Sequence, residues 1–108
     1  MSFNVITTSK FKKEIKRLMK KFPSLKFEYA NLITALSSNP TLGTPLGENY
    51  FKIRLAIASK NKGKSGGARI ITFVLMQDSE VYLLSVYDKS EKENISQKEL
   101  LEIVKQIK

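Results

Sequence analysis

The chain contains no cysteine and no histidine. That excludes a thiol nucleophile, an imidazole general base and the Cys/His sites that hold zinc, and it removes disulfides as a clue to redox compartment. Acidic residues are scarce as well, with ten Asp and Glu against nineteen Lys and Arg, a net charge of +9 and a pI near 9.8. Such a balance attracts polyanions without any dedicated motif. No apolar run approaches the roughly 20 residues that a membrane-spanning helix needs, and the opening MSFNVITTSK lacks the apolar core of a secretory signal. A cytoplasmic protein with no membrane partner is expected. Any chemistry must use Lys, Arg, Tyr, Ser or a carboxylate. The 108 residues, 42% apolar with ten Phe and Tyr, suffice for one modest core, so residues 1–108 read as a single domain.

Residues 2–7 alternate weakly and predict a short strand. From Ser9 as N-cap, Phe11, Ile15, Leu18, Met19 and Phe22 recur at helical spacing among Lys12, Lys13, Lys16, Arg17 and Lys20, which predicts a basic amphipathic helix. Pro23 ends it. Ser24 then caps a second helix with a stripe of Leu25, Tyr29, Leu32, Ile33 and Leu36. The run 37–49, with two Pro and two Gly, reads as a loop. Strands follow at about 50–58, 67–76 and 80–88, expected as an antiparallel meander. Ser96 and Glu99 form a capping box ahead of Leu100, Leu101, Ile103, Val104 and Ile107. The order β-α-α-β-β-β-α implies an α+β domain whose helices pack on one face of a mainly antiparallel sheet, leaving the other open for binding.

Residues 51–69, FKIRLAIASKNKGKSGGAR, hold six Lys or Arg and no acid. Alternation sets Lys52 and Arg54 on one strand face and Phe51, Ile53, Leu55 and Ile57 on the other. Lys60, Lys62 and Lys64 lie in the link to the next strand, which opens with Arg69. Tyr87 and Lys89 share a face near the end of the last strand. In a meander that end lies beside the start of the strand carrying Arg69, so Lys52, Arg54, Arg69, Tyr87 and Lys89 can cluster. Spacing alone does not separate such a cluster from an ordinary basic rim.

Other patterns carry less. Gly63, Lys64 and Ser65 spell the end of a phosphate-binding loop, but the glycine required five positions earlier is Ala58 and a strand follows, not a helix. Asn94, Ile95 and Ser96 match a glycosylation acceptor without a secretion signal. The first helix has the charge of a membrane-active one, yet its apolar stripe is needed for the core. Asp88, Glu91 and Glu93, interleaved with Lys89 and Lys92, read as salt-bridged surface groups; Glu91 stays of interest because it follows Tyr87 and Lys89.

The segments FKIRLAIASKNKGKSGGARIITF and VYLLSVYDKSEKENIS, with SNPTLGTPLG in support, resemble the RelE/ParE superfamily of type II toxins, in particular its HigB-like branch. The resemblance covers about half the chain. It implies a ribosome-dependent messenger-RNA endonuclease that needs no metal or small-molecule cofactor and is neutralised by a cognate antitoxin. It also implies roles: Lys52 as general base, Arg54 as a second cation, Arg69 on the scissile phosphate, and Lys89 as general acid where RelE has an arginine. The tyrosine that stacks on RNA in RelE corresponds to Ile95. HigB-like members instead carry a Tyr, Lys, Glu pattern matching Tyr87, Lys89 and Glu91, so the aromatic role passes to Tyr87. Lys60, Lys62 and Lys64 would dock ribosomal RNA. The alternatives are a ParE-like inhibitor of DNA gyrase that acts by binding, and a non-catalytic RNA-binding relative.

Overall fold

The computed structural model describes residues 2–60, 66–91 and 95–105. The chain runs β1 (Asn4–Thr7), α1 (Ser9–Lys21), α2 (Leu25–Ser38), β2 (Thr44–Gly47), β3 (Tyr50–Leu55), β4 (Ala68–Leu75), β5 (Glu80–Asp88) and α3 (Gln97–Lys105), with single 3-10 turns at Ala58–Lys60 and Met76–Asp78. One sheet orders the strands β1-β5-β4-β3-β2. The expected meander is present as β3, β4 and β5, and β1 joins its far edge parallel to β5. Among the described residues no helix is long and apolar enough to cross a membrane.

Helix α1 buries Phe11, Ile15 and Leu18 and exposes Lys12, Lys13, Lys16, Arg17 and Lys20. Its cap is Thr8, one residue before the expected Ser9. The Thr8 hydroxyl accepts from the Phe11 amide at 3.3 Å and donates to the Leu83 carbonyl at 3.0 Å, so the cap also ties the helix to β5. Ser24 precedes α2 but makes no capping bond with its side chain. Ser96 and Glu99 do form the predicted capping box, at 3.2 and 3.4 Å.

Two larger features also depart from expectation. The run read as a loop contains β2, an edge strand reached from β3 through Glu48 and Asn49, both at positive φ (52° and 70°), as in a type I′ hairpin. Pro45 is tolerated there because an edge strand has an unpaired side. Second, the helices do not share one face. α1 and α2 cover Ile53, Ile70, Val74, Val81, Leu83 and Val86, whereas Leu100 and Ile103 of α3 pack on Tyr50, Ile71, Phe73, Leu84 and Tyr87. Adjacent pairs such as Ile70 and Ile71, or Leu83 and Leu84, make the central strands apolar on both sides, and both sides must then be covered.

The register of β4 against β5 shifts once. Thr72 faces Leu83, but Ile71 faces Ser85, so Leu84 is an extra residue in β5. Such a bulge needs support for its displaced backbone. Glu14 of α1 supplies it: the Glu14 Oε1 accepts from Ser85 Oγ at 3.0 Å and from the Val86 amide at 3.2 Å.

Candidate functional site

Beyond the bulge, Arg54 of β3 lies directly across from Arg69 of β4, and Arg69 directly across from Tyr87 of β5. The three residues form one rung across three strands spaced about 5 Å apart. Lys52 stands two residues from Arg54 on the same face of β3, opposite Ile71. Lys89 follows the end of β5, exposed, and its amide donates to the Gly67 carbonyl at 3.1 Å. Arg54, Arg69, Tyr87 and Lys89 therefore lie at one end of the sheet, with Lys52 further in along the same face of β3.

They are not equally accessible. Arg54 and Lys89 are exposed and Lys52 is half-buried, whereas Arg69 and Tyr87 retain only 4% and 5% of their surface. The Arg69 Nη1 donates to the Ala68 carbonyl at 3.2 Å. A guanidinium does not give up its proton, so Arg69 is a fixed positive charge beneath the site. Burial raises the Tyr87 phenol above its ordinary value, with the Arg69 charge opposing. The Tyr87 ring packs with Ile71, Leu84, Leu100 and Ile103. That packing makes Tyr87 part of the floor, and the expected stacking role does not fit a ring so enclosed.

Glycines allow the close approaches that shape this end. Gly43, at φ 106°, passes so near β3 that a Cβ there would stand 2.6 Å from the Lys52 carbonyl. At Gly67 a Cβ would meet the Leu55 carbonyl at 2.1 Å, so only glycine lets β4 start this close to the end of β3. A groove of about 560 Å³ runs between α2 and the edge of β3, lined by Glu28, Asn31, Leu42, Lys52, Arg54 and Ala56 among others. Lys52 and Arg54 thus sit where the groove and the rung meet, while Arg69 and Tyr87 lie outside it.

The residues expected to dock RNA fare differently. Lys62 and Lys64 lie outside the described residues, as do Glu93 and the Gly63, Lys64, Ser65 tripeptide. Lys60 is not a surface cation: its side chain is 7% exposed and pairs with Asp88, itself 2% exposed. Asp88, read from the sequence as a surface group, is therefore buried. Burial pushes its carboxyl up, but hydrogen bonds from Lys60 and Ser90 outweigh this and hold it below the ordinary value. Glu91 is gripped by Arg17 of α1 at 2.8 Å and Lys21 at 3.3 Å. The signal for these pairs was the basic helix α1, whose charges the sequence assigned to solvent. Among the described residues, no group of three carboxylates stands together as metal ligands would.

A rung of two arginines flanked by two lysines can hold a phosphodiester, stabilise charge growing on its oxygens and exchange protons with it. Comparison with known proteins agrees with the fold that carries this site. An arginine-substituted mutant of the Escherichia coli toxin RelE in the free state superposes with a TM-score of 0.65 at 17% identity, over the whole of both chains. The toxin–antitoxin complex RelBE2 from Mycobacterium tuberculosis contains a chain matched with a TM-score of 0.57 at 18% identity, covering 82% of this chain and 99% of that one. A conserved hypothetical protein from Helicobacter pylori matches with a TM-score of 0.53 at 17% identity, covering 82% and 97%. The family described as RelE toxin of RelE / RelB toxin-antitoxin system matches residues 8–108. The chain belongs to the RelE toxin family.

Proposed function

We propose that this toxin is a messenger-RNA endonuclease that acts on the translating ribosome in the cytoplasm. The observation that carries the reading is the Arg54, Arg69, Tyr87 rung with Lys52 beside it, three basic side chains and a phenol on one face of the sheet. The ribose 2′-hydroxyl is the nucleophile, so the protein has only to move protons and stabilise charge. Lys52, acting in its uncharged amine form, accepts the 2′-hydroxyl proton as that oxygen attacks phosphorus. Arg54, which is exposed, contacts a phosphate oxygen, and Arg69 adds a fixed charge from below. Charge held in place before the reaction costs no reorganisation as the phosphorane forms. Lys89 gives a proton to the departing 5′-oxygen. The products are a 2′,3′-cyclic phosphate and a free 5′-hydroxyl, and the cycle uses no metal or other cofactor.

Tyr87, Lys89 and Glu91 support a place in the HigB-like branch. The partner we expect is a cognate antitoxin whose acidic residues meet the exposed cations of this chain. The deciding experiment is inducible expression in a bacterial host, with wild type beside Lys52→Ala and Arg54→Ala and with messenger-RNA 5′ ends mapped after induction. New 5′-hydroxyl ends inside translated frames, seen with wild type and lost in both variants, are the expected result. Growth arrest without such ends, equal in all three strains, would transfer the reading to a binding target such as gyrase.

A further inference from the structure

Lys60 occupies a built socket. Its ammonium donates to Asp88 Oδ1 and to Ser90 Oγ, the latter at 2.9 Å, and stands 5.4 Å from the centre of the Phe22 ring. The Ser90 amide also donates to Asp88 Oδ1, at 3.0 Å, and Lys21 approaches Asp88 Oδ2 at 3.9 Å. An ammonium has three donors and an attraction for aromatic faces; here Asp88 and Ser90 take two donors and the Phe22 ring lies within reach of the charge.

The turn carrying Lys60 is itself fixed. The Ala58 amide donates to Glu28 of α2 at 2.6 Å, and the Ser59 amide donates to the Ser24 hydroxyl at 3.0 Å. Lys60 is therefore a strut between the start of α2 and the last residue of β5. Asp88 is the residue between Tyr87 and Lys89, and its partner across the ladder is Ala68, the neighbour of Arg69. A strand end fixed at Asp88 fixes the residues on either side of it.

Accordingly, and resting on the endonuclease reading above, we propose that Lys60 is a positioning residue: its buried pair with Asp88 holds the end of β5 so that Tyr87 stays opposite Arg69 and Lys89 stays at the rim of the site. Buried ion pairs contribute little net stability once desolvation is counted, and their best-attested use is to select one arrangement over its neighbours. A docking lysine and a positioning lysine also differ in what their loss does. Loss of a phosphate contact weakens binding and flattens its salt dependence. Loss of a strut misplaces groups that act on the reacting atoms, and a displacement of about 1 Å can cost about 100-fold in rate.

The test uses the full chain carrying Lys60→Met, with Lys60→Met/Asp88→Asn as a companion that leaves no unpaired carboxylate buried and serves where the single variant unfolds. Lys60→Arg is the conservative control. Cleavage on translating ribosomes is measured at saturating and at limiting toxin across a salt series, and the Tyr87 phenol is titrated by NMR with ring-labelled tyrosine. The expected result is a rate at saturation lower by about 100-fold, with the half-saturating concentration and the salt slope unchanged and partial recovery in Lys60→Arg. The Tyr87 phenol, raised by burial in the native protein, should titrate nearer its ordinary value. An unchanged saturated rate with weaker, less salt-sensitive binding would overturn the inference and make Lys60 a docking residue. If wild type cuts nothing, the endonuclease reading fails. An unaltered Tyr87 titration in the folded variants would then overturn the strut as well, and an altered one would uphold it.

Discussion

Replacing Glu14 by alanine tests whether the bulge in β5 is held by α1. Glu14 accepts from Ser85 Oγ and the Val86 amide, and both donors belong to residues with no more than 1% of their surface exposed. A buried donor left without a partner costs about 1–3 kcal/mol. The Glu14 side chain is 25% exposed, so water can reach part of the vacated space, and the lower half of that range applies. Glu14→Ala should therefore cost about 2–4 kcal/mol in total. Glutamine keeps a carbonyl oxygen for the same two donors and loses only the charge assistance, so Glu14→Gln should cost about 1 kcal/mol. The ion pair with Lys10 joins two partly exposed groups at i and i+4, and Lys10→Ala should cost no more than about 0.5 kcal/mol. Urea unfolding followed by circular dichroism checks the series, provided the three variants keep the wild-type denaturant slope. If alanine and glutamine cost the same, or alanine costs less than about 1 kcal/mol, the carboxylate does not hold the bulge.

Asp88 and Glu91 should contribute to stability in a pH-dependent way. Asp88 is raised by burial but lowered more by Lys60 and Ser90, and Glu91 is lowered by the Arg17 hydrogen bond against slight burial, with Lys21 adding to it. A carboxylate held low when folded binds fewer protons than the unfolded chain does. Its contribution is complete above the unfolded value of about 4 and is lost as pH falls through the folded one. The melting-temperature gap between wild type and Asp88→Asn should thus be constant from about pH 7 to about pH 5 and close below about pH 4. A gap that widens on acidification would contradict the assignment. Gly43→Ala should lose about 1–3 kcal/mol, because it places a Cβ at a positive φ and against the Lys52 carbonyl. Cleavage, assayed where the variant is fully folded, should fall too as Lys52 shifts; a melt and a rate equal to wild type would show that the chain relaxes around the methyl group.

The elements of this fold were legible wherever hydrophobic period and caps coincided. Phe11, Ile15 and Leu18 declared α1, and Ser96 with Glu99 declared α3. β2 was hidden because its residues, Thr44–Gly47, are all exposed and include a proline, so neither burial pattern nor propensity marks it. The meander topology was enough to bring Arg54, Arg69 and Tyr87 to one end of the sheet. It was not enough to put them on one rung, because side-chain direction alternates with every residue and a shift of one residue reverses it.

That reversal turns on Leu84. From Thr72 to Leu75 the paired residue numbers of β4 and β5 sum to 155, as in Thr72 with Leu83; from Ala68 to Ile71 they sum to 156, as in Arg69 with Tyr87. Continued without the bulge, the first register would set Arg69 opposite Val86 and Tyr87 opposite Ala68, on the face covered by α1 and α2. The inward residues of β5 on that face are Val81, Leu83 and Val86, and those on the α3 face include Leu84 and Tyr87. Each series skips two residues where an uninterrupted strand would skip one. In VYLLSVYD nearly every position is apolar or aromatic, so alternation cannot reveal the skip. The contact that meets the displaced backbone comes from 70 residues away, from a single glutamate among the lysines of α1, whose side chain takes the Ser85 hydroxyl and the Val86 amide. The same α1 surface holds Glu91 through Arg17 and Lys21. Arg17, Lys21 and Lys60, which composition assigns to attraction of a polyanion, are therefore engaged at the end of β5. Among the described residues, exposed cations remain beside the rung, at Arg54 and Lys89, and along the helix, at Lys12, Lys13, Lys16 and Lys20.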